Sequence, residues 1–100
     1  MANKTMFLHV IEARHLHDYV VEVTFNNGRM GCADLTDALK GPVFEPLKDI
    51  DKFSRLKVDT ELETIVWENG ADLAPEFIYF QAFKNEPALE TQFRVWGYLD

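Results

Sequence analysis

Cysteine is almost missing from this chain, and that removes two classes of small protein at once. A single cysteine, Cys32, stands in 100 residues, so neither an internal disulfide framework nor a cysteine-rich zinc site can form. Glycine is scarce as well. Most of the five glycines sit at turn and helix-end positions. None belongs to a glycine-rich loop that could cradle phosphate, so nucleotide binding has no support. Long apolar runs are lacking. Phe77 to Phe83, bounded by Glu76 and Lys84, is among the longer uncharged stretches, far short of the roughly 20 residues a membrane span needs. Met1-Ala2-Asn3-Lys4-Thr5 has no basic region followed by an apolar stretch. No signal peptide and no membrane partner are therefore expected, and the expected compartment is the cytoplasm. Positive charge is the last deficit. Ten Lys and Arg face seventeen Asp and Glu, a net charge of −7. Duplex nucleic acid and anionic lipid are held by cations that meet phosphate, so neither is an expected direct partner.

What is present is an ordinary globular composition, 47% hydrophobic and 27% charged, with eight Phe, three Tyr and two Trp. A chain of this length buries roughly 65% of its unfolded surface, enough for one core and too little for two. Thr5 to Ala13 is rich in apolar and β-branched residues and reads as a strand, and Ala13 to His17 reads as a loop. From Asp18 the chain alternates, with Tyr19, Val21, Val23 and Phe25 on one face and Asp18, Glu22 and Thr24 on the other. Period two with one polar face predicts a half-buried strand. Asn26-Asn27-Gly28 supplies the next turn. A two-residue loop at Asn27-Gly28 sets Phe25 opposite Met30 and Val23 opposite Cys32, all four on one apolar face. A three-residue loop sets Arg29 opposite Phe25, which is the worse hydrophobic match. The two-residue turn is therefore expected, with Cys32 buried and inert.

Asp34 reads as a helix N-cap with Asp37 in the capping-box position, and Gly41-Pro42 closes a short helix over about residues 35–40. Phe44-Glu45-Pro46-Leu47 enters a second short helical turn running towards Asp51. Strands are expected at about 53–58 and 62–67, the second strongly β-prone through Thr64, Ile65, Val66 and Trp67. Asn69-Gly70 marks a turn, and Pro75 suits the first turn of a helix through Phe77 to Phe80. The expected fold class is α+β: a three-stranded antiparallel meander plus a hairpin, with two or three short helices. Residues 1–84 form the single domain. Residues 85–100 form an aromatic extension packed on that domain or on a second subunit.

Several segments resemble one bacterial family. They are Asp18-Tyr19 with Phe25 and Gly28, Asp34-Leu35 with Leu39 and Gly41, the run Gly41 to Asp49, Val58-Asp59, and above all Thr64 to Tyr79. Together they resemble the small family called domain of unknown function 2442 over roughly residues 5–80. The resemblance implies a small α+β fold. It also implies a protein-interaction or regulatory role, because members stand alone, precede a helix-turn-helix domain, or pair with another small protein in toxin–antitoxin-like or transcription-regulatory arrangements. It carries across no catalytic residue. Here no helix-turn-helix domain is expected after residue 84, so direct DNA binding is not expected to transfer.

Asp72 and Glu76, four apart around Pro75, are the best candidate acids. With Trp67 and Tyr79 they make a candidate binding surface. Two carboxylates in one cleft can do acid–base work when burial separates their pKa values. The alternative function is therefore a small-molecule-sensing domain or a minor enzyme with an acidic cleft near Trp67, Asp72 and Glu76. The plainer reading makes Asp72 a local cap and Glu76 a first-turn acid that favours the helix dipole, and no catalytic residue is expected. His15 and His17 share one face of an extended segment, yet no fourth ligand has a fitting spacing, so neither a metal nor a cofactor is expected. In the extension, Leu89, Phe93 and Trp96 recur at helical spacing, while Phe93, Val95, Gly97 and Leu99 alternate as in a strand, and the pattern leaves both open. Phe93, Val95, Trp96, Tyr98 and Leu99 are too apolar to leave in water. They form a candidate interface, with a homodimer as the expected assembly.

Overall fold

The computed structural model describes residues 7–99, so the expected beginning of the first strand at Thr5 lies outside the described residues. Three antiparallel strands form one sheet in the order β1 (Val10–His17), β2 (Val20–Phe25), β3 (Met30–Asp34). A second sheet pairs β4 (Lys57–Asp59) with β5 (Thr64–Val66). The helices are α1 (Ile50–Phe53), α2 (Pro75–Phe83) and α3 (Glu90–Val95). The fold is α+β, with an antiparallel meander, a hairpin and short helices, as the strand and helix signals predict.

The first difference is at Ala13 to His17, which is strand and not loop. Ala13 pairs with Val23 and His15 with Val21, so β2 supplies the hydrogen bonds that local propensity did not advertise. The register shifts between His15 and His17, which takes the two imidazoles off a common face.

The second difference is the β2–β3 register. Thr24 pairs with Met30, Val23 with Gly31 and Glu22 with Cys32, and the Phe25 N–H donates to the Arg29 carbonyl at 2.9 Å. The loop is therefore the three residues Asn26-Asn27-Gly28. Gly28 at φ 87° takes the left-handed position that such loops require. Met30 is 59% exposed, Cys32 is exposed, and Ala33 is fully buried. Two features outweigh the better hydrophobic match. Gly31 faces inward because the Phe83 ring packs where a Cβ would stand, 2.8 Å from its ideal position. Arg29, a poor partner for Phe25 by polarity alone, lays its guanidinium over the Phe83 ring at 4.2 Å and pairs with Glu86. Arginine can cover apolar surface while its head stays charged.

Asp34 is not the N-cap expected of it: the N-cap is Leu35, with no side-chain bond, and Asp34 instead closes a local turn in which the Thr36 N–H and hydroxyl donate to its Oδ1 at 3.0 and 2.6 Å. These bonds hold its carboxyl below the usual range, the hydroxyl contributing most. The expected helix shrinks to a 3-10 turn at Thr36–Ala38. Leu35 and Leu39 both enter the core, and Leu39 leaves helical geometry at φ −87°, ψ 61° to do so. A second 3-10 turn, Glu45–Lys48, leads into α1, whose N-cap Asp49 accepts from the Asp51 N–H. The strand expected from Phe53 starts later because Phe53 ends α1. Its buried ring packs against Tyr19 and Trp67, with centroids 5.2 and 5.6 Å away.

Pro75 stands in the first turn of α2, as expected. The helix is apolar nearly all round, a pattern that demands cover on two sides. The sheet side takes Ile78, Tyr79 and Phe83, all buried. The other side is covered by the extension. Pro87–Leu89 makes a 3-10 turn into α3, which buries Phe93 completely between Tyr79 and Phe80. Gly97 at φ 90° then reverses the chain. Its N–H donates to Arg94 and the Tyr98 N–H to Phe93, the paired bonds of a Schellman motif. Tyr98 stacks on Phe80 at 5.0 Å and 20°. Between the two open patterns, helix wins as far as Val95 because it sets Phe93 against α2.

Candidate functional site

The four residues of the candidate binding surface do not meet. Trp67 is core: it is 3% exposed, and its Nε1 donates to the Phe53 carbonyl at 2.9 Å. Asp72 is exposed on a segment whose backbone bridges to Val66. It does not cap α2, whose N-cap is Ala74 with no side-chain bond. That corrects the capping role expected for Asp72. The cap is missing because the N-cap position falls on Ala74, which has no side-chain oxygen to accept from the first free N–H groups of the helix.

Glu76 and Tyr79 do come together, on the first turns of α2. They line a cleft of about 230 Å³ with Leu8, Asn27, Leu89, Gln92 and Trp96. The cleft lies where the β2–β3 turn, the start of α2 and the extension converge. Three local causes build it. Tyr79 is buried, and its hydroxyl accepts from Asn27 Nδ2 at 3.3 Å. Trp96, the C-cap of α3, meets the Tyr79 ring at 6.2 Å and 68°, so the two rings form a corner. Glu76 is half-buried. Among the described residues no ion pair or hydrogen bond engages its carboxylate, whereas Arg14, Arg29, Lys48, Arg55 and Arg94 each pair with another acid. The same carboxylate adds to the effect of burial in pushing the Tyr98 phenol above its usual value.

The pair of carboxylates expected of Asp72 and Glu76 does not form in this cleft, since Asp72 is not among the lining residues. Asn27, Leu89, Gln92 and Trp96 were not singled out together by sequence. Asn27 carried a turn signal and nothing more, and the other three lie in the extension. A depression of about 520 Å³ on the outer face of the first sheet is larger, but its Arg14 and Glu22 already satisfy each other at 2.9 Å.

The remaining candidates disperse. The His15 ring packs on Phe53 with Nε2 at 2.8 Å from the Asp18 carbonyl, while His17 Nδ1 lies 3.1 Å from the Asp18 carboxylate. Among the described residues no cluster of three His, Cys, Asp or Glu is placed to hold a metal, and no helix is long and apolar enough to cross a membrane. Cys32, expected inside, is on the outer face opposite Glu22. Of the candidate interface residues, Phe93 is inside its own chain, Trp96, Tyr98 and Leu99 are half-buried, and Val95 is 74% exposed.

Comparison with known proteins places this architecture. A solved structure from Nitrosomonas europaea, described as a "putative DNA binding protein", superposes with a TM-score of 0.71 at 18% identity. The match covers 94% of this chain and 63% of that one, so this chain spans less than two thirds of the other's length, and the likeness is one of fold. No curated protein matches. The family described as "Protein of unknown function (DUF2442)" matches residues 10–84, which takes in both sheets and α2 and stops before the extension that supplies Trp96. Over most of its length, and with the sheet and helix that its sequence signals lead one to expect, the chain belongs to the DUF2442 family.

Proposed function

We propose that this protein is a non-catalytic protein-interaction module, one half of a regulatory pair of the toxin–antitoxin-like or transcription-regulatory kind. The observation that carries the reading is Glu76, without an ion pair among the described residues, in a cleft that Tyr79 and Trp96 also line. A single carboxylate in a cleft lined by aromatic side chains provides charge and contact area for a partner. The module does not itself bind duplex DNA. The structural neighbour from Nitrosomonas europaea is described as a "putative DNA binding protein", but a net charge of −7 lacks the phosphate-neutralising term on which such binding rests. Small-molecule sensing is the weaker reading, since about 230 Å³ falls below the roughly 300–1,000 Å³ of ordinary ligand pockets. Self-association through the extension is also weaker, because Phe93 is already buried within its own chain.

The test is affinity capture from the native host with the wild-type chain, Glu76→Gln and Trp96→Leu as baits. The expected result is a protein retained by the wild type and lost from both variants, with light scattering showing a monomer before the partner is added. A small molecule turned over by the wild type and not by Glu76→Gln would overturn the reading. So would a duplex-DNA gel shift surviving about 150 mM salt, where phosphate contacts are already weakened.

A further inference from the structure

We propose that the Glu76 cleft receives the guanidinium of an arginine side chain presented by the partner protein. This rests on the interaction-module reading and names the group recognised.

The chain contains its own precedent. Arg29 lays its guanidinium 4.2 Å above the Phe83 ring while pairing with Glu86. The charged form of Arg29 is held there chiefly by its bond to Glu86. Three parts make that arrangement: an aromatic face, a carboxylate and an arginine. The cleft repeats the first two. Half-buried Trp96 supplies the aromatic wall, braced at 68° by the buried Tyr79 ring whose hydroxyl lies beside Arg29, and Glu76 supplies the carboxylate. The arginine is the part the chain does not provide, since Glu76 has no cationic partner among the described residues.

Charge sets the sign of the occupant and geometry sets its type. A half-buried carboxylate in a chain of net charge −7 favours a cation. An aromatic wall favours one that is weakly hydrated and planar. A guanidinium can stack on the indole and bond the carboxylate in its own plane, whereas an ammonium is a strongly hydrated point charge. Gln92 also lines the cleft, and its side-chain amide can accept from a group with five N–H donors. Trp96 lies beyond residues 10–84, so the extension supplies the aromatic part of the arginine site and the first turn of α2 supplies the carboxylate.

The experiment is an NMR titration of the full chain with capped Gly-Arg-Gly, Gly-Lys-Gly and Gly-norleucine-Gly. The Trp96 indole N–H and the Asn27 side-chain amide are followed. The arginine peptide is expected to shift both signals and to bind about tenfold more tightly than the norleucine peptide, a difference of about 1.4 kcal/mol. Glu76→Gln and Trp96→Leu, each checked for an intact amide spectrum, are expected to weaken it about tenfold. Equal affinity for lysine would overturn the guanidinium assignment. Unchanged arginine binding in both variants would overturn the site. Retention of the captured partner by Glu76→Gln would overturn the inference and leave the interaction-module reading standing. An intact arginine response with no partner captured would remove that reading instead.

Discussion

Gly31→Ala is the substitution that best tests the packing of this fold, because opposing effects can be separated there. The backbone at Gly31 is outside the left-handed region, so alanine meets no conformational strain, and an alanine in the middle of a strand should gain about 0.5–1 kcal/mol over glycine. Against this stands the Phe83 ring. An ideal Cβ at position 31 lies 2.8 Å from Cε1 and 3.0 Å from Cζ, where carbon atoms prefer about 3.5–4.0 Å. The ring has little room to retreat. Tyr79 packs on it at 4.7 Å, Phe25 at 6.1 Å, and the Arg29 guanidinium covers it at 4.2 Å. Overpacking of this kind costs about 1–3 kcal/mol, so the expected net loss is about 1 kcal/mol, or about 4–8 °C in Tm for a domain this size. Urea unfolding measures the free energy directly. The control is Phe83→Leu. In that background Gly31→Ala should change sign and stabilise slightly, since the contact is gone and only the backbone gain remains. A stabilising Gly31→Ala in the wild-type chain, or a penalty undiminished without the ring, would refute the inward placement of Gly31 and with it the β2–β3 register.

Three further outcomes follow from the same structure. Phe93→Ala removes a fully buried ring between Tyr79 and Phe80 and should cost about 3–5 kcal/mol by denaturant unfolding; a loss under about 1 kcal/mol would show that α3 does not hold the core. The depressed Asp34 carboxyl stabilises the fold above its unfolded value of about 3.9, and that contribution is lost as pH falls through the lower folded value. The stability gap between wild type and Asp34→Ala should therefore narrow from pH 5 to pH 2, to be read by urea melts across about that range; a constant gap would contradict the Asp34–Thr36 turn. Tyr98 titrates above its usual value of about 10 because it is buried and, secondarily, because it faces Glu76. Its contribution is present below the unfolded value and is lost as pH rises through the raised folded one. Absorbance of the phenolate, measured against Tyr98→Phe, should give a midpoint that Glu76→Gln lowers. An unmoved midpoint would separate Glu76 from the extension.

Several elements were legible before any coordinates because their causes are local. The alternation of β2 needs only residues 19–25, and Pro75 suits a helix start whatever follows it. Gly41 and Gly70, at φ 88° and 90°, stand at turns that neighbouring residues announce. Asp34 was readable as a chain-turning acid for the same reason, its partner Thr36 being two residues on, although the N-cap itself falls on Leu35. What local pattern could not decide is which of two registers β3 would adopt, since apolar matching favoured the one that does not form. Phe83 and Glu86 decided it, by claiming the space beside Gly31 and the charge of Arg29. The side on which Cys32 lies, the burial of Phe93 and the separation of Trp67 and Asp72 from Glu76 have the same origin. Spacing of four around Pro75 marked Glu76 as notable, but its neighbours Asn27 and Trp96 come from distant parts of the chain. A sequence specifies faces and turns through residues close along the chain, whereas a cleft is made by side chains that meet only when separate elements pack. The candidate site therefore became visible only in the tertiary structure.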